Sequence, residues 1–471
     1  MQGLISTPQT QSGIVEYATQ ADRIKKYYDP IHGYIELDQK YWDIIDTEQF
    51  QRLRYLKQLG CVNFVFPTAT HNRFEHCIGT CYVAKKLMNK ISKKQPELDI
   101  REQDVYNVSI AGLCHDLGHG PYSHVFDNHF LRTIDPDIKW THEYASTMLL
   151  EHLVDKNNLD LTREDVRLIC DLIEGKQEGY KGNEKSWMFD IINNKRNSID
   201  VDKFDYITRD TYMMNLSYGS FDHQILLKDA RVIDNQIVYP TKHAYEVQKL
   251  FQSRYDLYKS IYNHLTVHSI EIILCDVLKA AQNVLYDFKE VIFDPEQYTY
   301  LTDNILYEIQ ISEDERFKKA QDLIKRLQRR DFYQFVGEII MKPSEYRPCT
   351  EKDLVNYAVQ DGYGDIINED DVAVRKYSVN FAQGDKDPFD FVRFYNQPNY
   401  NSSFLVNRRE VSIITPNIFQ EHIIRVFVKD PAKFDIVDRA FTRFCSERIG
   451  ATPKKGKEFS KRYTQDSQYV L

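Results

Sequence analysis

The chain has 471 residues, 42% of them hydrophobic and 13% aromatic, enough to bury a large core in one elaborated domain or about three smaller ones. Sixty-one Lys+Arg against 70 Asp+Glu leave a formal charge of −9, which disfavours a basic nucleic-acid coat and leaves room for a local basic patch. No run approaches the ~18 apolar residues of a membrane span, and Met1-Gln2-Gly3-Leu4-Ile5 does not read as a secretion signal; a soluble nuclear or cytoplasmic protein is expected.

In chain order, residues 1–24 are polar and aperiodic and read as a flexible lead-in. Asp29-Pro30-Ile31-His32-Gly33 followed by alternation to Leu37 predicts a hairpin. Asp46-Thr47 should cap a helix with Phe50, Leu53, Leu56 and Leu59 on one side, stopped by Gly60. Further helices are predicted over 72–92, 102–117, 140–153, 163–174, 185–194, 200–213, 244–287 and 314–329. From 331 to 450 short alternating runs (372–375, 389–395, 410–414, 423–428) and a helix at 431–448 read as a smaller α+β lobe. Residues 451–471 read as a solvated basic tail. The expected fold is therefore mainly α: a helical core over 25–330 carrying a C-terminal α+β lobe. The eight cysteines contain no C-x-x-C pair and mostly sit among apolar residues, as reduced structural thiols would.

Histidine is the informative residue. Seven of the 14 fall between His71 and His142, where even spacing would put about two. His76, the doublet His115-Asp116, the run Gly118-His119-Gly120-Pro121-Tyr122-Ser123-His124 and Asp202 stand out. The doublet closes an apolar-periodic helix at a glycine-rich turn, where both side chains can face one ion although adjacent helical residues diverge by about 100°. Imidazoles and carboxylates from separate helices make a mixed N/O site suited to Fe, Mn, Zn or Mg.

The H…HD…D pattern resembles the HD-domain metal-dependent phosphohydrolases. Asp29-Pro30-Ile31-His32-Gly33, Phe50-Gln51-Arg52-Leu53-Arg54-Tyr55, Lys57-Gln58-Leu59-Gly60, His71-Asn72-Arg73-Phe74-Glu75-His76, the stretch Ala111 to Pro121 and the stretch Asn194 to Lys203 are similar, in order, to deoxynucleoside triphosphate triphosphohydrolases that join a sterile-alpha-motif domain to an HD domain. The likeness covers roughly residues 25–450. No sterile-alpha-motif domain is expected, since only about 25 residues precede the match. By resemblance, His76, His115, Asp116 and Asp202 are metal ligands, and Mg accompanies the nucleotide. His119, His124 and His142 are active-site histidines, with His124 the general acid and Asp127 orienting it. Arg73, Lys203 and Arg254 match phosphate contacts. Gln58 and Asp210 match partners of the 3′ hydroxyl, Tyr206 and Tyr262 pack the sugar, and Leu59 with Tyr262 excludes a 2′ hydroxyl. Asn263 stands where the family has a base-edge glutamine. His71 and His129 are assigned to structure.

The same resemblance implies activation by nucleotides bound between subunits of a dimer or tetramer. Lys25, Asp46, Gln51, Arg54 and, from a weaker stretch, Arg330 match a guanine-nucleotide pocket for GTP. Lys242 and Lys429 match phosphate-binding lysines of a neighbouring deoxynucleotide pocket. There, Ile225, Pro240 and Leu265 stand where basic residues are expected and Glu246 replaces an asparagine, so weaker dependence on deoxynucleotide is expected. Thr452-Pro453-Lys454-Lys455 fits a proline-directed kinase site. The competing functions are an HD phosphohydrolase acting on another nucleotide phosphoester and a single-stranded nucleic-acid binding protein.

Overall fold

A computed structural model describes residues 24–178, 183–219, 221–397 and 399–456. The lead-in up to residue 23 and the end of the basic tail lie outside the described residues. The expected hairpin is present as β1 (Lys25–Asp29) and β2 (Gly33–Leu37), paired antiparallel across the Asp29–Gly33 turn. The helical core includes α1 (Arg73–Lys94), α2 (Glu102–Cys114), α3 (His142–Asn157), α4 (Val201–Met213), α5 (Ala244–Leu257) and α6 (Leu265–Ala281), and the expected helices at 163–174 and 314–329 also pack into it as Arg163–Glu174 and Lys318–Gln328.

Local chemistry explains their starts. The Glu75 carboxylate accepts the Asn72 N–H at 2.7 Å before α1, and Asp104 does the same for Arg101 at 2.9 Å before α2. Thr141 caps α3 and Asp200 caps α4 through their side chains. α1 buries 13 of its 22 residues, so it is covered on most sides. Gly79 on α1 is required by close approach: a Cβ there would collide with the Asp205 carboxylate on α4. At Gly118 a Cβ would strike the first turn of α3.

Three of the expected helices end or break early, for identifiable reasons. The helix over 47–60 is only Glu48–Gln51 followed by a 3₁₀ turn, Arg52–Tyr55, and Thr47 rather than Asp46 caps it, accepting from Phe50 N–H. The helix over 244–287 breaks: a π turn spans Tyr258–Tyr262, Asn263 Nδ2 donates to the Tyr258 carbonyl at 2.8 Å, and His264 caps α6. The helix at 102–117 stops at Cys114, because the His115-Asp116 pair leaves it for the glycine-rich turn.

The C-terminal lobe is a four-stranded sheet in the order β10-β5-β9-β6, made by β5 (Gln334–Met341), β6 (Val372–Asn380), β9 (Gln420–Val428) and β10 (Lys454–Lys455). Helices Glu351–Gln360 and Phe434–Phe444 supply its second layer. A second small sheet joins β3 (Arg231–Ile233), β4 (Gln236–Pro240), β7 (Arg393–Tyr395) and β8 (Phe404–Leu405) in that order, with β4 and β7 parallel. The expected strand at 410–414 is instead a short helix, Arg408–Val411, leading to Ile413 and Ile414, which are exposed. The helix Glu351–Gln360 and strands β3–β5 went unrecognised in the sequence. Residues 454–455, read as tail, pair with β5.

Alternation along β6 and β9 joins the two layers. Val372, Val374, Ile424, Val426 and Val428 enter the lobe's own core, whereas Ala373 and Phe427 pack with the helical core. The face of the sheet that carries Arg375, Tyr377 and Arg425 is therefore turned toward the helices. No described helix is long and apolar enough to cross a membrane.

Candidate active site

The end of α2 and the first turns of α1 and α4 converge. His76 Nε2 and His115 Nε2 face each other at 3.3 Å. Asp202 Oδ1 lies 3.2 Å from the first and 3.4 Å from the second, and Asp116 lies 3.7 Å and 3.4 Å from them. The ring tautomers follow from the opposite nitrogens. His76 Nδ1 donates to Asp205 at 2.7 Å and His115 Nδ1 donates to the Gly112 carbonyl at 2.9 Å. Two Nε2 lone pairs are thus aimed at one point beside two carboxylates, an arrangement that is repulsive without a cation. With no ion there, a proton on His76 Nε2 would take its place: burial opposes that charge, yet bonds to Asp202 and Asp205 push the His76 pKa up to about 10. The cluster demands positive charge, and mixed imidazole–carboxylate donors fit a divalent ion.

Asp205 was not singled out in the sequence, although it orients the site. It binds His76, His32 (2.7 Å) and Arg209 (two bonds of 2.8 Å), and Arg209 continues to Asp29 at 2.8 Å. Its only sequence signal is a carboxylate three residues past Asp202 on the same helix face. Arg52 was also missed: fully buried, it donates to the carbonyls of Leu117, His119, Thr299 and Leu301 and so holds the turn after the doublet. In that turn Tyr122 and Ser123 both take left-handed backbone (φ 58° and 56°). Asp303 secures it by accepting the Tyr122 N–H at 2.7 Å.

Beside the ion site stand His119, His124, His142 and Asp127. The rings of His119 and His142 stack at 4.0 Å, and Asp127 Oδ2 lies 3.1 Å from His142 Nδ1 and 3.4 Å from His124 Nδ1. Partial desolvation works against protonation of His124, whose side chain is still 58% exposed, and Asp127 raises its pKa above the ordinary value. Burial and Arg73 drive His119 well below it, so that ring is neutral. These four residues could also close on an ion. With two Nδ1 atoms already directed at Asp127, the group is better suited to proton transfer.

Both clusters open into one cavity of about 670 Å³, also lined by Gln58, Leu59, Arg73, Tyr206, Asp210, Tyr262 and Asn263. Asp210 is held by His71 at 2.7 Å and by the Tyr262 hydroxyl at 2.5 Å, and Gln58 Oε1 is buried without a partner among the described residues. Arg73 bonds to Asp116 and to Ser123 (2.8 Å), so it bridges the ion site and the turn. Lys203 and Arg254 do not line the cavity: Lys203 pairs with Asp200 at 3.0 Å, and Arg254 donates to the Asn380 carbonyl and covers the Tyr258 ring. His129, read as structural, reaches the cavity wall.

The residues expected at the guanine pocket are partly gathered. Lys25 pairs with Asp46 at 3.0 Å, Gln51 donates to the Ile45 carbonyl, and Arg54 donates to Gln51 at 2.8 Å. Asp46, freed from capping, is half exposed beside this group. Arg330 is engaged elsewhere, on the Phe64 carbonyl. Lys242 pairs with Asp229 and Lys429 with Asp276, so the two lysines occupy separate ion pairs rather than one shared site. Glu246, where an asparagine was expected, accepts from the Asp222 N–H.

A helical core that delivers His76, His115-Asp116 and Asp202 to one point is the architecture of an HD-domain protein, and residues 73–210 match the HD domain model. Over 416 residues the chain is 39% identical to the deoxynucleoside triphosphate triphosphohydrolase SAMHD1 homolog of Dictyostelium discoideum, covering 88% of this chain and 79% of that one. It is 36% identical over 475 residues to deoxynucleoside triphosphate triphosphohydrolase SAMHD1 of Homo sapiens (92% and 75% covered). It is 30% identical over 437 residues to the putative HD domain-containing protein L394 of Acanthamoeba polyphaga mimivirus (86% and 92% covered). The chain belongs to the SAMHD1 family of HD-domain deoxynucleoside triphosphate triphosphohydrolases.

Proposed function

We propose that this enzyme hydrolyses deoxynucleoside triphosphates to a deoxynucleoside and inorganic triphosphate. The observation that carries the reading is the single cavity in which the His76/His115/Asp116/Asp202 cluster, the His119/His124/His142/Asp127 group and the Asp210–Tyr262–Gln58 wall meet. A divalent metal held by His76, His115, Asp116 and Asp202 would supply Lewis acidity at the α-phosphate and an activated water. The chain's own groups do the rest. Water oxygen bonds to the α-phosphorus and gives up a proton to solvent, the bond to the 5′ oxygen breaks, and the leaving alkoxide takes the proton of His124, whose pKa Asp127 raises and which is reprotonated from solvent. Neutral His119 faces the phosphate beside Arg73. Asp210 and Gln58 bind the 3′ hydroxyl, and Leu59 with Tyr262 closes the space a 2′ hydroxyl would need.

The reading extends to regulation: GTP binds at Lys25, Asp46, Gln51 and Arg54, with Arg330 completing the pocket on assembly into a dimer or tetramer. A half-exposed carboxylate paired with Lys25 suits guanine, whose N1–H and amine it can accept. Deoxynucleotide activation is weak, because Lys242 and Lys429 are both neutralised by aspartates.

Ion-pair chromatography of products tests the reaction. With Mg²⁺ or Mn²⁺, each deoxynucleoside triphosphate should yield deoxynucleoside and intact triphosphate, abolished in His115→Ala/Asp116→Ala. Release of monophosphate and pyrophosphate would refute it.

A further inference from the structure

The cavity does not end at the sugar residues. Beyond Asn263 its wall continues through His268 and Glu271 of α6 and through Arg375 and Tyr377 of β6. The polar groups of this arm are mostly engaged. Asn263 donates to the Tyr258 carbonyl and lies 3.2 Å from His268 Nε2, while Arg425 is bonded to Glu338 and to the Asn263 carbonyl. The position where a base-reading amide was expected is therefore already committed to the protein.

Glu271 and Arg375 differ. Each lies in the other's field, yet no ion pair joins them among the described residues. The Glu271 carboxyl lies 3.9 Å from His129 Nε2, and burial pushes that carboxyl up to about 6. Among the described residues, Arg375 donates to Cys275 Sγ at 3.8 Å and its buried Nε has no hydrogen-bond partner. A guanidinium and a carboxyl facing one cavity, both short of partners, are costly unless something bridges them.

We propose that Glu271 and Arg375 form a base-reading subsite for guanine, making dGTP the preferred substrate; this rests on the substrate class proposed above. Guanine presents adjacent acceptors, O6 and N7, which match the guanidinium fork, and adjacent donors, N1–H and the 2-amine, which match a carboxylate. Adenine places an amine where the O6 acceptor is needed. Thymine has a single N–H donor between two carbonyls.

Internal competition is the test, because two substrates in one tube share the same activator occupancy. The full chain, with Mg²⁺ and saturating GTP, receives equimolar dGTP and dTTP, then dGTP and dITP, which lacks only the 2-amine. The ratio of products gives the ratio of kcat/KM. Wild type should favour dGTP over each competitor about tenfold or more. Glu271→Gln and Arg375→Gln should collapse the dGTP preference while dTTP turnover stays within about threefold. A wild-type dGTP/dITP ratio of one overturns the subsite without any variant, as does equal loss on all substrates in the variants. Hydrolysis of no deoxynucleoside triphosphate would instead overturn the substrate class and this inference with it.

Discussion

Asp205→Asn isolates the carboxylate behind the metal ligands. The side chain is fully buried and accepts four hydrogen bonds, from His76, His32 and twice from Arg209. Asn preserves the volume but offers one acceptor oxygen, and its amide must face a donor. Breaking one partner of a buried ion pair costs about 3–5 kcal/mol. Arg209 keeps Asp29 at 2.8 Å, so the lower end of that range applies. Weakening the bond that orients His76 should cost a further ~10–100-fold in metal affinity, or about 1.4–2.7 kcal/mol. A domain with about 5–15 kcal/mol of stability can survive the first loss, so both are measurable. Calorimetric titration of metal-free protein with Mn²⁺, beside urea unfolding of the same sample, reads the two terms separately. A folded variant that binds Mn²⁺ as wild type does would refute the orienting role and reduce Asp205 to packing.

Because Asp127 raises the pKa of His124 against burial, the protonated acid persists to higher pH than it would without that carboxylate. Asp127→Asn removes that support, so the alkaline limb of the kcat–pH profile should move to lower pH; an unmoved limb excludes His124 as the acid. Arg52→Lys leaves several of four buried carbonyls without donors and should lower stability by about 3 kcal/mol in urea unfolding, with activity falling as the turn loosens. Asp46→Asn should abolish stimulation by GTP while leaving the unstimulated rate intact, read as initial rates across a GTP titration. Lys242→Ala and Lys429→Ala should change the rate at saturating GTP less than twofold or so, given that both lysines are already paired; strong loss in either would restore a deoxynucleotide pocket.

Much of the site was legible because its chemistry is written in residue types that have few structural uses together. A doublet of His115 and Asp116 at the end of an apolar helix, with His76 and Asp202 at the starts of others, needs no coordinates to suggest an ion. Helix starts were legible where capping is local, as at Thr141 and Asp200. The failures share a cause. The break at Asn263 and the stop at Cys114 depend on side chains and turns that compete with helix continuation, and periodicity alone cannot weigh them. Strands β4 and β5 escaped because their successive residues are buried on both faces and lack clean alternation.

The sequence by itself determined the class of chemistry, the mainly helical core and the family, since these rest on residue identity and period. Only the tertiary structure decided which charges remain free. Arg73, Lys203 and Arg254 look alike in a sequence, yet one bridges Asp116, one pairs with Asp200 and one covers Tyr258. Asp205, Arg52 and Asp303 emerged as the groups that hold the site because their partners lie far off along the chain, as with Asp205 and His76 or Arg52 and Leu301. Glu271 and Arg375, 104 positions apart, were brought to one cavity by a helix and by the alternation of a strand. A hydrogen bond or a field acts through space, and spacing along the chain carries no record of it.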